Sequence, residues 1–216
     1  MLSNVISKSL IAASANCIAL SQSVAAGANA IINGASATSG AFTLDTQRRI
    51  AIVSAGNDSA NTAHIYGNRG TGQPINEILT LTNAGTAVSV LDYFSGGTVT
   101  FPTGTASTVT IGTNGTGSTD WIVPNYDLTP FNINVTDQIT GSVTWNYETT
   151  NDRNFWDPPV GRGSTTPQPN VTEVVQASTA AVGINLTQPV TGSRFTITSG
   201  TGTLAAQIQQ AGIVNY

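Results

Sequence analysis

Few side chains in this sequence are able to carry acid–base, nucleophilic or metal chemistry. His64 is its only histidine and Cys17 its only cysteine. His64 alternates with Ala63 and Ile65, the pattern of a strand, and is expected to be a surface or satisfied core histidine rather than a catalytic base. Cys17 sits among Ala, Asn and Ile, with nothing nearby to lower its thiol pKa, so an inert buried thiol is expected. One cysteine excludes an intrachain disulfide and a cysteine zinc cluster, and one histidine excludes a histidine metal site within one chain. Carboxylates are the remaining option, because glycoside hydrolysis needs only two of them about 5–10 Å apart. The candidates Asp120, Asp127, Asp137, Asp152 and Asp157 fall in expected turns or strand ends, and Glu148 is expected to face outward beside Thr144. Asn57-Asp58-Ser59 and Asn151-Asp152-Arg153-Asn154 offer oxygens to Ca²⁺ but lack the spacing of a calcium loop, and read as turn formers. No catalytic residue, metal or cofactor is expected.

Binding chemistry is the next possibility. Trp145, Tyr147, Phe155 and Trp156 would make a carbohydrate-stacking platform only if they shared an exposed face. Val143, Trp145 and Tyr147 alternate with Thr144, Asn146 and Glu148, which sends the first two aromatics into a core. Phe155 and Trp156 lie beside Asp157–Asn170, a stretch with four of the nine prolines that reads as a long loop. They are expected to seal a core edge or a subunit interface.

The elements that must position these residues are strands. Val and Ile together outnumber Leu and Met by about three to one, a bias toward branched side chains that suit a pleated surface. From Phe42 the polarity alternates: Arg48, Ile50 and Ile52 on one face, Arg49, Ala51 and Val53 on the other. Only one of the two arginines can therefore sit inside, and that one needs a carboxylate such as Asp45. Further strands are expected over 62–66, 75–82, 87–94, 97–101, 108–111, 131–135, 143–147, 171–176, 182–186, 194–198 and 203–209. Gly-rich turns separate them, the signature of an antiparallel sandwich or barrel. The expected fold is all-β: two antiparallel β-sandwich or jelly-roll-like modules, 41–117 and 118–216, divided at a flexible stretch Gly112–Ser118, after an N-terminal arm, 1–40.

Residues 1–40 carry one charge, Lys8, and show no clean period. Lys8, the apolar stretch 10–20 and the alanines after it imitate a secretory signal, but Ser14 and Asn16 interrupt the apolar run, and no cleavage is expected. No run reaches the ~18 apolar residues of a membrane span. A short helix over 9–23 would need partners on every face, so the arm is expected to dock on a neighbouring subunit through Leu10, Ile11, Ile18 and Leu20. With a net charge of −4 and scattered arginines there is no basic stripe for nucleic acid. Charged residues are only 8% of the chain, so its surface must consist of Thr, Ser, Asn and Gly and is weakly repelled by copies of itself.

Two stretches resemble structural proteins of tailed-phage virions. The first runs Leu44-Asp45-Thr46-Gln47-Arg48-Arg49-Ile50-Ala51-Ile52-Val53-Ser54-Ala55-Gly56, then Tyr66-Gly67 and Thr82-Asn83-Ala84-Gly85-Thr86; where relatives continue the hairpin as Gly-Thr-Asp-x-x-Gly, this chain has Gly67-Asn68-Arg69-Gly70-Thr71-Gly72. The second runs Gly141-Ser142-Val143-Thr144-Trp145-Asn146-Tyr147-Glu148-Thr149-Thr150-Asn151-Asp152. It ends with Gln188–Thr203 and Gln209–Ile213. The resemblance implies a non-enzymatic virion component on the head, neck or tail, assembled in the host cytoplasm. Its partners would be copies of itself and capsid, portal or tail proteins, with neither nucleic acid nor membrane. The alternative reading is a carbohydrate-binding adhesin module of a tail fibre.

Overall fold

The computed structural model describes residues 2–10, 12–124, 128–151 and 171–214, and for 2–10, 128–131, 171 and 211–214 their strand pairing alone. Among these residues there is no helix; the chain is all-β. The strands are β1 (Leu2–Leu10), β2 (Ser14–Gln22), β3 (Ala28–Asn29), β4 (Ala37–Thr38), β5 (Ala41–Ser54), β6 (Thr62–Asn68), β7 (Pro74–Thr80), β8 (Thr86–Phe101), β9 (Val109–Ser118), β10 (Leu128–Thr150), β11 (Val171–Ser178), β12 (Ile184–Leu186) and β13 (Gly192–Val214). The described ladders within each unit are antiparallel. Described residues within 13–117 form a first compact unit, and those within 1–12 and 118–216 a second.

In the first unit β5 pairs with β8, β8 with β6, and β6 with β7, which ends that row. Alternation places Phe42, Ile50, Ile52, Ile65, Leu91, Tyr93, Val99, Phe101 and Ile111 in one core. Two expected strands, 87–94 and 97–101, are one strand, β8, because Ser95-Gly96-Gly97 continues the ladder. Gly96 lies opposite both Phe42 of β5 and Gly67 of β6.

Residues 1–40 are not one separate arm. Residues 14–22 form β2, which excludes the short helix, and Ile18, Val24 and Ile32 are buried in the first unit's own core. The physical reason is local. Gly112 of β9 has no side chain where β2 crosses it; a Cβ there would lie 1.9 Å from the Ser14 carbonyl oxygen. That glycine lets the arm's backbone lie directly on β9, and its aliphatic side chains then fill the core beneath. Gly112–Ser118 is part of strand β9 and not a flexible link, although the change of unit falls at its end.

The second unit is organised by a long two-stranded ribbon. Each of β10 and β13 has 23 residues, paired from Leu128 opposite Val214 to Thr150 opposite Gly192. The expected pairs of short strands at 131–135 and 143–147, and at 194–198 and 203–209, are thus continuous. Gly141 and Gly200 carry φ of 86° and 91° in the middle of the ribbon, a region that only glycine enters readily, and the register continues unbroken through them. β11 and β12 pair along the outer edge of β10, and β1 along β13. The core takes Ile133, Val135, Val143, Trp145, Tyr147, Ile184, Phe195, Ile197, Leu204 and Ile208. Trp145 and Tyr147 pack on Phe195 with ring centroids 6.1 and 5.0 Å apart.

Candidate functional site

Most described charged groups are committed to holding the fold. Arg48, 1% exposed, donates from Nε and Nη2 to the two oxygens of Asp45 at 2.6 and 2.7 Å. It donates further to the Asn114 carbonyl at 3.3 Å. Arg49 faces the other way, its side chain 37% exposed, with Nε 3.7 Å from Asp92. The arginine pair thus divides as alternation requires, with Asp45 as the inner partner.

A second cluster centres on Asp58, which is fully buried. Its carboxylate accepts hydrogen bonds from the Ser54 and Ser107 hydroxyls, from the Ala106 N–H at 2.6 Å and from the Asn61 amide at 2.9 Å. Burial by itself would raise its pKa; the donors, Ser107 foremost, outweigh that and bring it down to about 2. Ser107 also accepts the Gly56 N–H at 2.9 Å. The carboxylate therefore latches the 56–59 turn to the 106–107 loop. Two serines and an aspartate without a histidine provide no nucleophile–base pair. In the same turn, Asn57 Oδ1 accepts the Ser59 N–H at 3.3 Å and its hydroxyl at 2.8 Å.

Glu77 is a third brace. Between Arg49 opposite Asp92 and Ala51 opposite Val88, three residues of β8 face the single Ile50 of β5. This bulge frees backbone donors. Glu77 accepts the Val90 and Leu91 N–H groups at 2.8 and 3.0 Å, and Ser89 Oγ accepts the Ile50 N–H at 2.8 Å. Burial raises the Glu77 pKa against the pull of those two N–H groups and Arg49. Tyr93 beside it is also raised, by burial first and then by the nearby Glu77 and Asp92 charges.

In the second unit Glu148 is buried, not outward-facing: its carboxylate accepts from Arg194 Nε at 2.6 Å. The guanidinium lies 4.8 Å from the Trp121 ring centre. Asn146, on the same face, donates to Glu173 at 3.0 Å and accepts the Ala177 N–H at 2.7 Å. Both faces of β10 are covered here, so alternation between core and solvent does not apply to it.

The other sequence candidates do not converge on a cleft. Asp137 accepts the Val182 N–H at 2.8 Å, and burial raises its pKa. Asp120 is half-buried elsewhere in the second unit. Asp127, Asp152 and Asp157, like Phe155, Trp156 and the 157–170 loop, lie outside the described residues. Cys17 is buried, its sulfur 3.8 Å from the Thr113 hydroxyl. His64 is half-buried on β6, opposite Ile78 and Thr100. Of the interface candidates, Ile18 is wholly buried and unable to meet a partner, whereas Leu20 is 47% exposed; the side chains of Leu10 and Ile11 lie outside those described.

What remains as a candidate functional region is surface. Ile31, 67% exposed, joins Leu20 as an outward aliphatic on the N-terminal segment, and Tyr66, Ile78, Val88 and Val90 are outward on β6, β7 and β8. Leu20 is expected at an interface, whereas the exposure of Tyr66, Ile78, Val88 and Val90 leaves no signal in the sequence, because a branched or aromatic side chain suits either face of a strand. In comparisons with protein-family models, curated proteins and solved structures, the chain matches none.

Proposed function

We propose that this protein is a non-enzymatic structural component of a tailed-phage virion, a head-decoration or neck- or tail-associated protein that acts by homo-oligomeric assembly and docking on the capsid or tail. The observation that carries this reading is where the charge goes. Arg48, Asp58, Asp92, Glu148 and Arg194 are buried, most of them in the pairs described above, so a chain already poor in charge spends much of it on internal bracing. The surface left is hydroxyl, amide and glycine with outward aliphatics such as Leu20 and Ile31, which copies bury against each other with little desolvation of charge. The two stretches resembling virion proteins supply the setting.

Size-exclusion chromatography with light scattering tests the assembly half of the proposal. The purified chain is expected to run as a symmetric multimer, or to become one with its capsid or tail partner. A monomer that never binds assembled particles contradicts it. The adhesin alternative predicts saturable binding to a glycan array by the isolated chain.

A further inference from the structure

We propose that β1 is an exchangeable strand: in the assembled protein, β1 of one copy pairs with β13 of the next, in the place its own β1 occupies in the single chain. This inference rests on the self-assembly reading above and names the contact that performs it.

β1 is held by a nine-residue antiparallel ladder to β13, Leu2 opposite Gln210 through Leu10 opposite Gly202. Among the described residues β13 is its one strand neighbour. β13 is paired along its other side with β10, a ladder that runs the full length of both strands. The acceptor segment, Gly202-Thr-Leu-Ala-Ala-Gln-Ile-Gln-Gln210, has neither charge nor proline. An open edge of that composition is a template for another strand, since nothing on it repels or blocks a ladder.

The connection points the same way. β1 belongs to the second unit, yet only residues 11–13 separate it from β2, which belongs to the first. Three residues, fully extended, reach about 10 Å. Exchange keeps all nine register pairs of the β1–β13 ladder.

Cysteine pairs placed by the register test this. In a Cys17→Ser background, one chain carries Ser7→Cys and a second, differently tagged, carries Ala205→Cys; Ile6→Cys with Ala206→Cys forms the adjacent pair. Opposite residues alternate between wide and close spacing, so one of the two pairs suits a disulfide. Far-UV circular dichroism confirms that each variant is folded. After co-refolding and mild oxidation, the expected result is a covalent dimer containing both tags on a non-reducing gel, from mixtures of the two chains. A mixture that stays monomeric on the gel, while a chain carrying both cysteines closes the disulfide within itself, overturns the exchange. Light scattering on the same samples separates the two ideas: multimers without a mixed disulfide overturn exchange and leave self-assembly standing, and monomers without one overturn both.

Discussion

Arg48 grips both carboxylate oxygens of Asp45, three residues earlier on the same strand. In a regular strand residues three apart point to opposite faces and are about 10 Å apart. The pair exists because β5 is bulged: between Thr43 opposite Ser95 and Arg48 opposite Tyr93, four β5 residues face the single Phe94. The bulge turns Asp45 back onto Arg48. Removing one partner weakens the hold on the other: Asp45→Ala is expected to lower stability by about 1–3 kcal/mol, because the buried Arg48 guanidinium loses its two carboxylate acceptors. Arg48→Met with Asp45→Leu should cost much less than the sum of the single changes, measured by urea unfolding as a double-mutant cycle.

The Asp58 latch predicts an acid limb. Its folded pKa, about 2, lies below the unfolded 3.8. The carboxylate thus contributes stability that is present above pH ~4 and lost as pH falls toward 2. Asp58→Asn should flatten that limb and, by placing an amide against the hydroxyl donors, cost about 1–3 kcal/mol at neutral pH. An unchanged acid limb in the variant would show that another carboxylate governs it.

Glu77 works in the opposite sense. Its pKa is raised on folding, so its contribution is greatest below the unfolded value of 4.5 and declines as pH rises through the folded one. Glu77→Gln puts an N–H₂ against either the Val90 or the Leu91 N–H, and is expected to destabilise by about 1–3 kcal/mol at neutral pH. Hydrogen exchange should show the loss at the 89–91 bulge first.

Gly112→Ala tests the placement of β2. An added methyl meets the Ser14 backbone, which has no flexible end to move aside. A loss of about 1–3 kcal/mol is expected, with the Cys17 thiol becoming reactive toward a thiol reagent that does not touch it in the native protein. A variant as stable as the parent would mean that β2 does not lie on β9.

Much of the fold was legible because its strands obey a period of two. The inward Arg48 and outward Arg49 and the buried Trp145 and Tyr147 follow from alternation. Three things were not. Alternation puts Glu148 outward because it presumes that one face meets water, whereas Glu148 and Asn146 are buried on the opposite face from Trp145. Ile18 is expected at a neighbouring subunit because a segment without period looks like an arm, whereas the bare backbone at Gly112 lets β2 lie on β9 and carries Ile18 into its own unit's core. Asp58 and Glu77 accept from backbone N–H groups far along the chain, contacts that leave no local pattern; the nearest signal for Asp58 was its turn.

The proposed virion role is tested most directly by peptide mass spectrometry and electron cryo-microscopy on gradient-purified virions from a lysate in which this chain is expressed. The account predicts that the chain is recovered with the particles in many copies and that density for its two β units repeats symmetrically on the head, neck or tail. Purified, infectious particles that contain none of it would contradict the account.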